Sequence, residues 1–124
     1  MKQTFKKYER LTNKKTFDKL FNSGKSISVP PFRLLWSESE MLNHTQIGIA
    51  VPKKSFTKAV QRNKLKRRIR EAYRKNKHLF YAFLEKKNLS IALMVIYIAK
   101  EELSFKEIEQ KMVVSLQKLI EKIQ

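Results

Sequence analysis

The chain has 124 residues, 42% of them apolar, and carries 28 Lys or Arg against 11 Asp or Glu, a formal charge of +17. A chain of this length can bury roughly two thirds of its unfolded surface in one core, while a surface repelling itself at +17 calls for a polyanion, either nucleic acid or an acidic membrane. The absence of cysteine excludes disulfides, thiolate nucleophiles and Cys-type zinc sites and suits a reducing compartment.

Met1 to Arg10 is basic but lacks the apolar stretch of a signal peptide, and no apolar run approaches the ~18 residues of a membrane span, so a soluble cytoplasmic protein is expected. Residues 1–10 read as a flexible basic arm. From Thr12 to Asn22, Phe17, Leu20 and Phe21 follow helical spacing, with Thr12 or Asn13 as N-cap and Gly24 as the stop. Ile27 to Ser37 reads as a strand carrying Val29, Phe32, Leu34, Leu35 and Trp36, with Pro30-Pro31 suited to an edge or a strand entry. Ser37 to Thr45 is a polar turn. Gln46 to Val51 then alternates and is expected to close a hairpin before Pro52 stops it.

Thr57 can cap a long basic helix reaching Lys77, and Lys77 to Lys87 either continues it or begins a second piece around Leu79, Phe80, Phe83 and Leu84. Ser90 to Ala99 is apolar and rich in β-branched residues, the pattern of a buried central strand. Ser104 and Glu107 form a capping box that opens a last helix, whose apolar face is Phe105, Ile108, Met112, Leu116, Leu119, Ile120 and Ile123. The order α-β-β-α-β-α predicts a single-domain α+β sandwich over residues 1–124.

Charge is concentrated in the basic helix. Lys53 to Lys77 holds twelve Lys or Arg and one acid, Glu71, or net +11 of the total +17. Leu65, Ile69, Ala72, Tyr73 and Phe80 fall within a sector of roughly 100°, a core-facing stripe. On the far side Asn63, Arg67, Arg70 and Arg74 form a row, flanked by Lys64, Arg68 and Lys75 on one side and by Lys66 and Lys77 on the other. Such a row suits phosphate, because the guanidinium fork donates two hydrogen bonds to two oxygens and is weakly hydrated. Asn63 adds a donor and acceptor for a base edge or a 2′-hydroxyl. Like charges at these spacings repel by a few tenths of a kcal/mol each, and the single acid cannot offset them, so the face reads as a binding surface.

Other classes fare worse. His44 and His78 stand in no metal or triad spacing, and Glu38, Glu40, Glu101 and Glu102 read as solubility charges near element ends. Two isolated glycines exclude a P-loop. A membrane-surface helix needs a free apolar face, whereas this one is narrow and committed to the core. Charge alone leaves RNA and DNA both open.

The runs Ile47-Gly48-Ile49-Ala50-Val51-Pro52-Lys53-Lys54 and Arg62-Asn63-Lys64-Leu65-Lys66-Arg67-Arg68-Ile69-Arg70-Glu71 resemble the bacterial ribonuclease P protein subunit. Phe17 and Phe21, Gly24 and the element order agree with that family, so the likeness covers nearly the whole chain. It implies a mixed sheet with a left-handed β-α-β crossover. It also implies a monomeric protein in a 1:1 complex with a catalytic RNA, which removes the 5′ leader of precursor tRNA with magnesium bound by the RNA. The protein itself is expected to hold no catalytic group and no cofactor. By this likeness Arg62, Asn63, Lys64, Lys66, Arg67 and Arg70 contact the catalytic RNA, and Arg74 extends the row. A cleft between the first helix and the sheet, with Phe17, Phe21, Phe32, Ala50, Lys53 and Lys54, holds the leader. The chain departs from the family pattern in three places. Lys64 replaces the last arginine of an Arg-Asn-Arg triplet, Ser55-Phe56-Thr57-Lys58 replaces a Gly-Asn pair, and Leu35 stands where a tyrosine is common, leaving Arg33 or Trp36 to substitute.

Overall fold

The computed structural model describes residues 9–10, 18, 20–22, 24–38 and 45–124. The segment expected as one strand over Ile27 to Ser37 is a hairpin. β1 (Lys25–Val29) and β2 (Phe32–Glu38) pair antiparallel, and the cis-linked Pro30-Pro31 makes the turn between them. Proline lacks the N–H that a ladder uses, so the pair sits where no ladder bond is required.

β3 (Gln46–Ala50) does not close a hairpin on β2 as expected. β4 (Ile91–Tyr97) lies between them, antiparallel to β2 and parallel to β3, in the order β1-β2-β4-β3. Six of the seven β4 residues are buried, and a strand apolar on both faces belongs at the centre of a sheet. Three helices follow among the described residues: α1 (Ala59–Asn76), α2 (His78–Lys86) and α3 (Phe105–Ile123). The described elements therefore run β-β-β-α-α-β-α. Of the first helix expected over Thr12 to Asn22, residues 18 and 20–22 are helical and the remainder lies outside the described residues. Gly24 N donates to Leu20 O at 3.1 Å, and a Cβ on Gly24 would stand 2.5 Å from that oxygen, so this stop requires glycine.

Helix boundaries follow local chemistry. Lys58 rather than Thr57 is the N-cap residue of α1, without a side-chain cap. Lys77, in helical conformation, separates α1 from α2. Asn88 takes a positive φ of 52°, which Asn tolerates better than most residues, and ends α2. The capping box of α3 is present: Ser104 Oγ accepts from Glu107 N at 3.3 Å and donates to Glu107 Oε1 at 3.0 Å.

The sheet has two unlike faces. On one, Phe32, Leu34, Trp36, Ile47, Leu93, Val95 and Tyr97 pack with the buried residues of the three helices in the main core. On the other, Leu35, Ala92 and Met94 pack with Leu20, edged by Ala50 and Ile96. Arg10 forms a parallel bridge to Ile47, so the chain is docked along β3 at the end of the expected flexible arm; residues 1–8 lie outside the described residues.

Candidate nucleic-acid interface

The stripe expected to face inward does so: Leu65, Ile69, Ala72, Tyr73 and Phe80 are wholly buried. Burying one Leu, Ile or Phe contributes about 1.5–3 kcal/mol. That exceeds the few tenths of a kcal/mol lost per like-charge pair on the outer face, so packing holds α1 in place despite its charge.

On the outer face Asn63 and Arg67 are exposed, and Lys66, Arg70 and Arg74 partly so. Among the described residues, the side chains of Asn63, Lys66, Arg67 and Arg70 make no hydrogen bond or ion pair within the chain. Their neighbours do. Arg62 Nη1 donates to the carbonyls of Phe56 and Thr57 at 2.8 and 2.9 Å, which binds the preceding loop to the first turn of α1. Lys64 Nζ lies 2.9 Å from Glu102 Oε1, while Arg68 Nη1 lies 3.4 Å from that atom and donates to Leu103 O at 2.6 Å. Arg74 pairs with Glu71 through both carboxylate oxygens. The hydrogen bond from Arg74 holds the Glu71 carboxyl below its usual pKa, and that from Lys64 does the same for Glu102. Glu102, expected as a solubility charge, thus ties the loop before α3 to α1. These pairs are partly exposed, and exposed pairs add little stability, so a polyanion can compete for their cations.

Lys77 lies farther from its expected place. Placed by helical spacing at the flank of the outer face, it is buried and paired with Glu9, because the chain leaves the α1 register where α2 begins.

Pro52 O accepts from Ser55 N and Phe56 N, and the Phe56 ring is buried 5.8 Å from Tyr97. Between these anchors Lys53 and Lys54 stand exposed on a tight turn. The other expected cleft residues divide. Phe32 is wholly buried in the main core, edge-on to Tyr97, and cannot line a cleft on the opposite face: it is three residues from Leu35, and strand side chains alternate. Trp36 is likewise in the main core. Phe17 lies outside the described residues, whereas Phe21 is 60% exposed. Ala50 does lie on the open face, where register sets Arg33, Ile96 and Ala50 side by side on β2, β4 and β3. With strands ~4.8 Å apart, the exposed Arg33 stands about 10 Å from Ala50.

No group of three metal-ligating side chains occurs among the described residues, and no helix among them is long and apolar enough to cross a membrane. A docked helix presenting unpaired cations, beside a sheet whose strand β3 leads into an exposed Lys53-Lys54 turn, defines a nucleic-acid-binding α+β protein. The sequence model of the ribonuclease P family matches residues 5–123, and the chain belongs to that family. It is 32% identical over 112 residues to the ribonuclease P protein component of Porphyromonas gingivalis, covering 89% of this chain and 82% of that relative. The solved ribonuclease P protein of Thermotoga maritima superposes with a TM-score of 0.70 at 30% identity, over 89% of this chain and 96% of the other. That of Staphylococcus aureus gives 0.68 at 24% identity, over 90% and 97%, a likeness of fold. The chain is thus a protein subunit of the tRNA-processing endonuclease ribonuclease P, whose catalysis resides in RNA.

Proposed function

We propose that the chain binds ribonuclease P RNA through the outer face of α1, with Asn63, Lys66, Arg67 and Arg70 as the primary contacts. Lys64 and Arg74 join them by exchanging carboxylates for phosphates. Arg62 acts by holding the Lys53-Lys54 turn against the helix. The open sheet face, bounded by Arg33, Ala50, Phe21, Lys53 and Lys54, takes the single-stranded 5′ leader of precursor tRNA. Lysines beside aromatic and apolar surface hold a strand without reading its sequence. Magnesium is bound by the RNA, and one monomeric protein serves one RNA.

The observation that carries this reading is that Arg67 and Arg70 have no partner among the described residues on a helix whose opposite stripe is wholly buried. Reconstitution tests it. The purified chain, added to a bacterial ribonuclease P RNA at low magnesium, restores cleavage of a precursor tRNA, and Arg67→Ala/Arg70→Ala does not. Equal stimulation by the variant would place the RNA elsewhere on the protein.

A further inference from the structure

A groove between α1 and the start of α3 is lined by Lys64, Arg67, Arg68, Glu71 and Phe105. Phe105 is chemically out of place among four charged neighbours. It is partly buried, packs against the main core, and has Lys75 Nζ 5.3 Å from its ring centroid. An exposed lysine over an aromatic face leaves that face open to exchange, since cation–π contacts at exposed sites are weaker than base–aromatic stacking.

Resting on the RNA-binding reading above, we propose that this groove is a nucleobase site: one unpaired base of the partner RNA stacks on Phe105 while Arg67 and the displaced Lys75 take the flanking phosphates. Three features fit. Three cations line the groove; Lys64 and Arg68 share the carboxylate of Glu102, and Arg67 supplies the uncompensated charge that attracts a polyanion into it. Glu71 is already neutralised by Arg74, so the rim does not repel the backbone, and its carboxylate remains an acceptor for a base amino group. Arg67 belongs both to the groove and, with Asn63 and Arg70, to the outer face of α1, so a strand following that face passes Phe105. Bases inside an RNA helix are stacked on one another and unavailable, so Phe105 selects a loop, bulge or junction.

The test uses full-length protein and a bacterial ribonuclease P RNA transcript. Phe105→Leu keeps an apolar side chain against the core but removes the π face, and Phe105→Tyr keeps both. Phe105→Leu is expected to weaken RNA binding about tenfold with an unchanged slope of log affinity against log salt, because stacking releases no counterion. Phe105→Tyr is expected to bind as the parent does. Circular-dichroism melting checks that both variants remain folded. A photoreactive p-benzoylphenylalanine at 105 is expected to crosslink to an unpaired nucleotide. Parent-like binding by Phe105→Leu, or crosslinking only to paired nucleotides, overturns the nucleobase site while leaving RNA binding by α1 intact. Failure of the parent chain to bind the RNA overturns the earlier reading instead.

Discussion

Lys77 Nζ donates to both carboxylate oxygens of Glu9, at 2.8 and 2.6 Å, in a buried pair joining residues 68 positions apart. The Tyr81 hydroxyl donates to the same carboxylate at 2.6 Å and accepts from the Tyr73 hydroxyl at 3.0 Å. This network fastens the chain beside β3 to the junction of α1 and α2. It is a structural use of charge within a surface-charged protein, so Lys77 should be subtracted from the RNA-facing total.

Removing one partner of a buried ion pair costs about 3–5 kcal/mol, whereas replacing both partners by apolar residues is often close to neutral. Urea unfolding of Lys77→Met or Glu9→Leu is expected to show a loss of that size, and the double variant a smaller loss than either single one. Additive losses would show that the two groups are not coupled.

Alkaline pH probes the same region. Burial raises the pKa of Tyr73, Tyr81 and Tyr97, and the Glu9 carboxylate raises Tyr81 further. A folded pKa above the unfolded value of about 10 gives stability that is complete below pH ~10 and falls as pH rises toward the folded values. Tyrosinate absorbance from these three residues is therefore expected to appear together with loss of the circular-dichroism signal. Ionisation near pH 10 in a still-folded protein would contradict their burial.

The arginines of α1 should separate by role. Each neutralised phosphate adds about 0.7–0.9 to the slope of log affinity against log salt, so Arg67→Ala/Arg70→Ala is expected to flatten that slope by about 1–2 without changing helicity. Arg62→Ala removes two hydrogen bonds to the loop carbonyls and is expected to lower thermal stability. Filter binding across a salt series, with melting curves alongside, reads both effects. A steeper loss of slope for Arg62→Ala than for the pair would reverse the assignment.

The inward stripe of α1 and the capping box of α3 were legible in the sequence because both depend only on local spacing. The sheet order was not, because chain adjacency favours a β2–β3 hairpin and only the burial of β4 on both faces places it between them. Phe32 could have been placed by parity: it lies an odd number of residues from Leu35, and the strand alternation that puts Leu35 on the open face puts Phe32 in the core. The pairs Glu9–Lys77 and Glu102–Lys64 join distant segments, and spacing carries no sign of them. Glu9 left one trace, as the sole acid among the first 17 residues.

Phe21 and Phe32, both expected in the leader cleft, now have opposite predicted phenotypes. Phe32 is wholly enclosed in the main core, and Phe→Ala at such a site costs about 3–5 kcal/mol, so Phe32→Ala is expected to unfold at markedly lower urea. Phe21 is 60% exposed, so Phe21→Ala has little packing to lose and should change stability little. If its ring stacks on the leader, the reconstituted holoenzyme carrying Phe21→Ala will bind precursor tRNA about 5–10-fold more weakly, within the ~1–3 kcal/mol range of one base–aromatic stack. Binding of mature tRNA, which has no leader, will be unchanged. Equal weakening for both tRNAs would move Phe21 out of the leader site and leave the open face of the sheet to Arg33, Lys53 and Lys54.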